Sequence, residues 1–154
     1  MDTMAPLRPP LQRPRRISLA AGPEAAAEAR RLVRAAICAW DVPVDPYVAA
    51  LLTSELVTNA IANEAGGSIM LVITGACGQL RVDVHDTSWF APELVEAPPD
   101  AETGRGLMLV ASLSTDWGFY RTVAGKAVYF TLAFEADRDE RLEQSTPGDR
   151  NYAR

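Results

Sequence analysis

Two strand-like runs, Ser68 to Thr74 (SIMLVIT), apolar throughout its middle, and Gln79 to His85 (QLRVDVH), in which apolar and polar residues alternate, are separated only by Gly75-Ala76-Cys77-Gly78. Successive side chains leave a strand on opposite faces, so period-2 alternation marks a half-buried strand. A short, glycine-bounded link between two such runs reads as a β-hairpin. In the second run Leu80, Val82 and Val84 alternate with Arg81, Asp83 and His85, which predicts one buried face and one polar face. A closing hairpin is predicted from Trp117 to Val123 and Ala127 to Phe134 around Ala124-Gly125-Lys126, and Ile17 to Ala20 offers another short strand.

Helical patterns occupy the rest of the body. Gly22-Pro23 opens one with an apolar face of Ala29, Leu32, Val33, Ala36, Ile37 and Trp40, and Arg30, Arg31 and Arg34 lie opposite. Asp45-Pro46, a capping residue and a proline that needs no N–H there, begins a second helix. It runs through Val48, Leu51, Leu52, Leu56 and Ala60 and stops near Asn63, before Gly66-Gly67. Gly106 to Ser114 reads as a short third helix. The stretch from Thr87 to Thr103, with Pro92, Pro98 and Pro99, lacks periodicity and reads as a long lid or binding loop. Strands joined by hairpins, with helices grouped elsewhere, imply an α+β two-layer sandwich: a mainly antiparallel sheet covered on one face by helices.

At 154 residues, 48% of them apolar and 23% charged, the chain is long enough for one domain with a real core. Residues 1–15, rich in proline and arginine, are expected to form a disordered arm, 16–134 the folded domain and 135–154 a flexible tail. A net charge of −5 argues against nucleic acid as a partner. No apolar stretch reaches the roughly 20 residues that span a bilayer, and the N-terminus lacks the apolar core of a signal peptide. A cytoplasmic protein without membrane attachment is the expectation. Cys38 and Cys77 read as free thiols, and a single histidine, His85, leaves little material for a multi-histidine zinc site or a Ser-His-Asp triad.

The chemistry-bearing residues cluster in three places. Glu55 and Asn59 in TSELVTNAIAN are one helical turn apart and so share a helix face. A carboxylate and an amide there suit a proton acceptor and a hydrated divalent cation, although the pair taken alone also fits a solvated helix face. Their setting among Leu52, Leu56 and Ala60 favours a site. Gly104-Arg105-Gly106-Leu107 opens the third helix with bare backbone N–H groups, a geometry suited to phosphate oxygens. Asp86 ends the second strand of the hairpin, where an aspartate can form a turn or accept from a ligand.

Taken together, SELVTNA (Ser54 to Ala60), Asp86, TGRGL (Thr103 to Leu107) and the closing WGFYRTVAGKAVYF (Trp117 to Phe130) resemble the ATP-binding domain shared by gyrase, a heat-shock chaperone, histidine kinases and MutL. The resemblance is nearest to the small anti-sigma-factor serine kinases of that family. It implies a Bergerat-type ATP-binding fold with ATP and Mg2+ as ligands. Carried over by position, Asn59 would coordinate the magnesium and Glu55 would be the general base. Asp86 would accept from the adenine amino group, with Asn63 and Ser88 beside the nucleotide. Gly104, Arg105, Gly106 and Leu107 would hold the phosphates beneath the lid. The implied partners are a sigma factor and a STAS-type anti-anti-sigma protein, and a homodimer is compatible with the family. Thr87-Ser88-Trp89-Phe90 replaces the glycines that the broad family carries after the aspartate, and Ala127 stands where a threonine often supports the adenine contact. A catalytically degenerate binding module of the same fold is the alternative those departures motivate. An ATP hydrolase module is a third reading.

Overall fold

In the computed structural model, which describes residues 14–63, 67–88 and 105–135, the chain order is β1 (Arg15–Ala20), α1 (Ala25–Trp40), α2 (Pro46–Asn63), β2 (Ser68–Ala76), β3 (Gln79–Asp86), α3 (Arg105–Leu113), β4 (Asp116–Arg121) and β5 (Lys126–Ala133). The strands form one sheet in the order β1-β2-β3-β5-β4, with every neighbouring pair antiparallel. This is the expected α+β two-layer sandwich. The terminal segments read as an arm and a tail lie outside the described residues, apart from Pro14, Arg15, where β1 begins, and Glu135.

The first hairpin is tighter than the sequence suggests, and the turn of the second is shifted toward the N-terminus. Gly75 and Ala76 pair with Leu80 and Gln79, so the β2–β3 turn shrinks to Cys77-Gly78. Both turn residues have positive φ, 56° and 73°, as a two-residue turn matched to the twist of its strands requires. In the second hairpin the Thr122 N–H donates to the Gly125 carbonyl at 2.9 Å, and Lys126 pairs with Arg121 inside the ladder. Lys126, expected in the turn, therefore belongs to β5. A β-carbon on Gly125 would collide with the backbone of Asp86 and Thr87, so this turn packs directly on the end of β3.

The helices are built by their apolar faces. α1 buries Ala29, Val33, Ala36 and Ile37 and ends at Asp41, whose left-handed φ of 51° lets its N–H reach back to the Cys38 carbonyl. At the start of α2 the Tyr47 N–H donates to Asp45 Oδ1 at 2.9 Å, which confirms the cap. α2 buries Leu52, Leu56, Val57 and Ala60 between α1, α3 and the sheet. Leu51, expected on that face, is instead 39% exposed, because helical spacing sets it in line with the exposed Tyr47 and Thr58. Among the described residues no helix is long and apolar enough to cross a membrane.

Leu71, Ile73, Leu80, Val82, Val84 and Phe130 face the helices and form the core with them. The opposite sheet face carries Arg81, Asp83, His85, Tyr120 and Tyr129, as the alternation predicts. One member departs from a simple polar face: Asp83 is 4% exposed. Arg81 donates to both Asp83 oxygens at 2.9 and 3.0 Å, and the Tyr120 hydroxyl donates to Oδ2 at 2.8 Å. The Arg81 guanidinium in turn lies 4.1 Å from the Tyr129 ring centroid. A buried carboxylate is tolerable when its lone pairs are satisfied this fully.

Candidate functional site

α2 carries Glu55 and Asn59 on the side that meets α3, and both side chains are half-buried. Arg30 of α1 braces the neighbouring Ser54 from behind, its Nη1 donating to Oγ at 2.8 Å. Glu55 meets the start of α3 closely, since a β-carbon built on Gly106 would lie 2.5 Å from Glu55 Oε2. The structure thus brings a carboxylate onto the first turn of a helix whose N–H groups are not all satisfied internally. A carboxylate oxygen and the N-terminal backbone of a helix share one place.

The other residues expected in the phosphate segment divide. Arg105 supplies the first residue of α3. Leu107 is 4% exposed, with its side chain in the core, so only its backbone can serve a ligand. Gly104 lies outside the described residues, as do Trp89, Phe90 and the rest of the expected lid up to Thr103. Asn63 is the last residue of α2, and its side chain also lies outside the description.

Asp86 ends β3 on the inward face, in line with Val82 and Val84. Its Oδ1 accepts the Ser88 N–H at 2.8 Å, so Ser88 acts on this carboxylate through its backbone. The same oxygen accepts from Lys126 Nζ at 3.0 Å, and both side chains of that ion pair are fully buried. Asp86 Oδ2 is buried with no hydrogen-bond partner among the described residues. A carboxylate oxygen in that state asks for an N–H donor, which an exocyclic amino group would supply.

Lys126 is the residue that sequence reasoning missed. The sequence pattern alone places it in a turn and sets Ala127 in the supporting position beside Asp86. The register overturns that: Asp86 stands opposite Lys126, whereas Ala127 stands opposite His85 on the other side of the sheet. The signal was present, because Val128, Phe130 and Leu132 point inward and period-2 counting back from them puts Lys126 inward too.

A shallow crevice of about 190 Å³ opens at this end of the sheet, lined by Ser18, Met70, His85, Thr87 and Thr122 among others. Its lining includes Asp86 but no residue of α2 or α3. His85 on its wall is held below the usual imidazole value, chiefly by burial.

These residues fit a magnesium nucleotide. The orphaned Asp86 oxygen suits a base amino group, and Gly106 leaves the first turn of α3 without a side chain beside its N–H groups, which suits an anion. Magnesium usually retains waters and takes few protein ligands, and the Asn59 amide beside Glu55 is a suitable oxygen donor.

The family model of the histidine kinase-like ATPase domain matches residues 19–132. Among solved structures, the RsbU and RsbW domains of Rv1364c from Mycobacterium tuberculosis share the fold, with a TM-score of 0.58 and 19% sequence identity. The superposition covers 82% of this chain and 35% of that one, so the chain spans about a third of that protein's length. No curated protein matches the chain in sequence.

Proposed function

The chain belongs to the histidine kinase-like ATPase domain family, and from that premise we propose that it is an ATP- and Mg2+-dependent serine/threonine protein kinase that doubles as an anti-sigma factor. Its acceptor is a serine on a STAS-type anti-anti-sigma protein, its second partner is a sigma factor, and those partners place the reaction in the cytoplasm. Fold-level similarity to a structure described by its RsbU and RsbW domains supports a regulatory setting.

The observation that carries this reading is the contact of Glu55 with the Gly106 turn. Phosphoryl transfer needs mainly positioning and neutralisation of charge. Backbone N–H groups of the α3 first turn, with Gly104 and Arg105, hold the phosphates. Asn59 offers its amide oxygen to magnesium, which when bound neutralises the phosphate charge. Glu55 accepts the proton of the serine hydroxyl as its oxygen bonds to the γ-phosphorus and the bond to the β,γ-bridging oxygen breaks, releasing ADP. Asp86 holds the base, with Asn63 and Ser88 near the nucleotide.

A second reading is favoured by one specific observation, the fully buried Lys126 against Asp86. In it the domain binds partners without phosphotransfer, the carboxylate being committed to an internal cation. Incubation with γ-labelled ATP, magnesium and candidate STAS-type proteins separates the two. Label on a partner serine supports the kinase, and a stable complex that never acquires label leaves the binding module.

A further inference from the structure

Lys126 is among the largest fully buried side chains of the described residues. Its charge is balanced by Asp86, but the hydrogen bonding of the pair is incomplete. An ammonium has three N–H donors, and the partner of Nζ among the described residues is Asp86 Oδ1. That oxygen also accepts the Ser88 N–H, whereas Oδ2 accepts nothing among the described residues. Donor capacity on Nζ and acceptor capacity on Oδ2 therefore lie side by side on the inward face of β3 and β5. A pair whose only role was to neutralise charge would be expected to satisfy both oxygens, since buried polar atoms are almost always paired.

The complement of an adjacent donor and acceptor is an edge that presents an acceptor next to a donor. The six-membered ring of a 6-aminopurine has such an edge, the ring nitrogen N1 beside the exocyclic amino group. We propose that Lys126 is a base-reading residue: Nζ donates to N1 of the nucleotide's adenine while Asp86 Oδ2 accepts from its amino group. The inference deepens the ATP reading above and rests on it. In this arrangement the lysine completes the recognition edge that the carboxylate alone would read by half.

The test is isothermal titration of the full chain with the magnesium complexes of ATP, 1-deaza-ATP, in which N1 is replaced by C–H, and 7-deaza-ATP. The wild-type chain is expected to bind 1-deaza-ATP about tenfold or more weakly than ATP, as loss of a hydrogen bond to a charged group requires. It should bind 7-deaza-ATP like ATP. Lys126→Met is expected to bind ATP and 1-deaza-ATP alike. Equal affinities of the wild type for ATP and 1-deaza-ATP would overturn the inference while leaving the ATP site intact, and so would a 1-deaza penalty that persists in Lys126→Met. No binding of any of the three by the wild type would overturn the ATP reading itself. The decisive comparison uses the wild-type chain, so it stands even where the methionine variant fails to fold, and Lys126→Gln then takes its place.

Discussion

The carboxylate of Glu55 rests against the α-carbon of Gly106, so a methyl group at position 106 would meet Oε2 at 2.5 Å and the Glu55 β-carbon at 3.3 Å. The nearest atom is the mobile end of a long side chain. Gly106→Ala should therefore displace Glu55 and leave the fold standing, helped by alanine's advantage of about 1 kcal/mol over glycine within a helix. Phosphotransfer should fall by about tenfold to a hundredfold through misplacement of the base, with thermal stability unchanged or slightly raised. A variant with full activity would show that Glu55 does not need this position. Differential scanning calorimetry beside the transfer assay checks both halves.

Glu55 and Asn59 share a helix face, but their proposed roles differ. Glu55→Gln keeps the size of the side chain and removes its basicity, so transfer should fall by about 10²- to 10⁴-fold while ATP binding changes little. Asn59→Ala removes the proposed magnesium ligand, so nucleotide affinity should drop in the presence of magnesium and move much less in its absence. Thermal-shift titrations with ATP and ADP, with and without magnesium, resolve the two, since a ligand that binds only the native state raises the melting temperature. If both variants matched the wild type in transfer and in binding, the site would have to lie elsewhere.

The fold was legible because its signals are local. The Leu80-Val82-Val84 alternation, the cap at Asp45 and the α1 stripe from Ala29 to Ile37 each follow from one segment's own geometry. Glu55 was legible as well, since a helical repeat places it without knowledge of its neighbours. Lys126 and Asp83 were not. A lysine next to a glycine turn looks like a solvated turn residue until the β3–β5 register sets it opposite Asp86. An aspartate on a polar face looks exposed until Arg81 and Tyr120 close over it. Both are pairwise facts about distant segments, and periodicity within one segment carries no information about partners.

The buried Lys126–Asp86 pair predicts a clear stability result. Removing one charge leaves the other uncompensated in the interior, which typically costs about 3–5 kcal/mol. Lys126→Met alone should lower the unfolding free energy by that amount. The double variant Lys126→Met/Asp86→Asn should recover much of the loss, because a pair replaced on both sides leaves no buried charge behind. Urea denaturation of the wild type, both single variants and the double variant gives the coupling directly. Simple additivity of the single losses would mean that the two groups do not interact.

On the open face of the sheet, the Tyr120 hydroxyl is pushed up from 10.0 to about 12, by burial first and by its hydrogen bond to Asp83 next. The neutral phenol is therefore favoured in the folded state, and its contribution to stability is fully present below pH 10. It is lost as pH rises from 10 through about 12, where the folded protein too gives up the proton. Arg81 does not confuse that window, since its hydrogen bond to Asp83 raises it above the ordinary guanidinium value. Tyr120 is 38% exposed, so the effect is screened and modest in size. Tyr120→Phe should lose the Asp83 hydrogen bond at neutral pH and show a shallower decline on alkaline titration. Urea midpoints taken across that pH range for both proteins measure the difference, and parallel alkaline slopes would show that Tyr120 is not the titrating group.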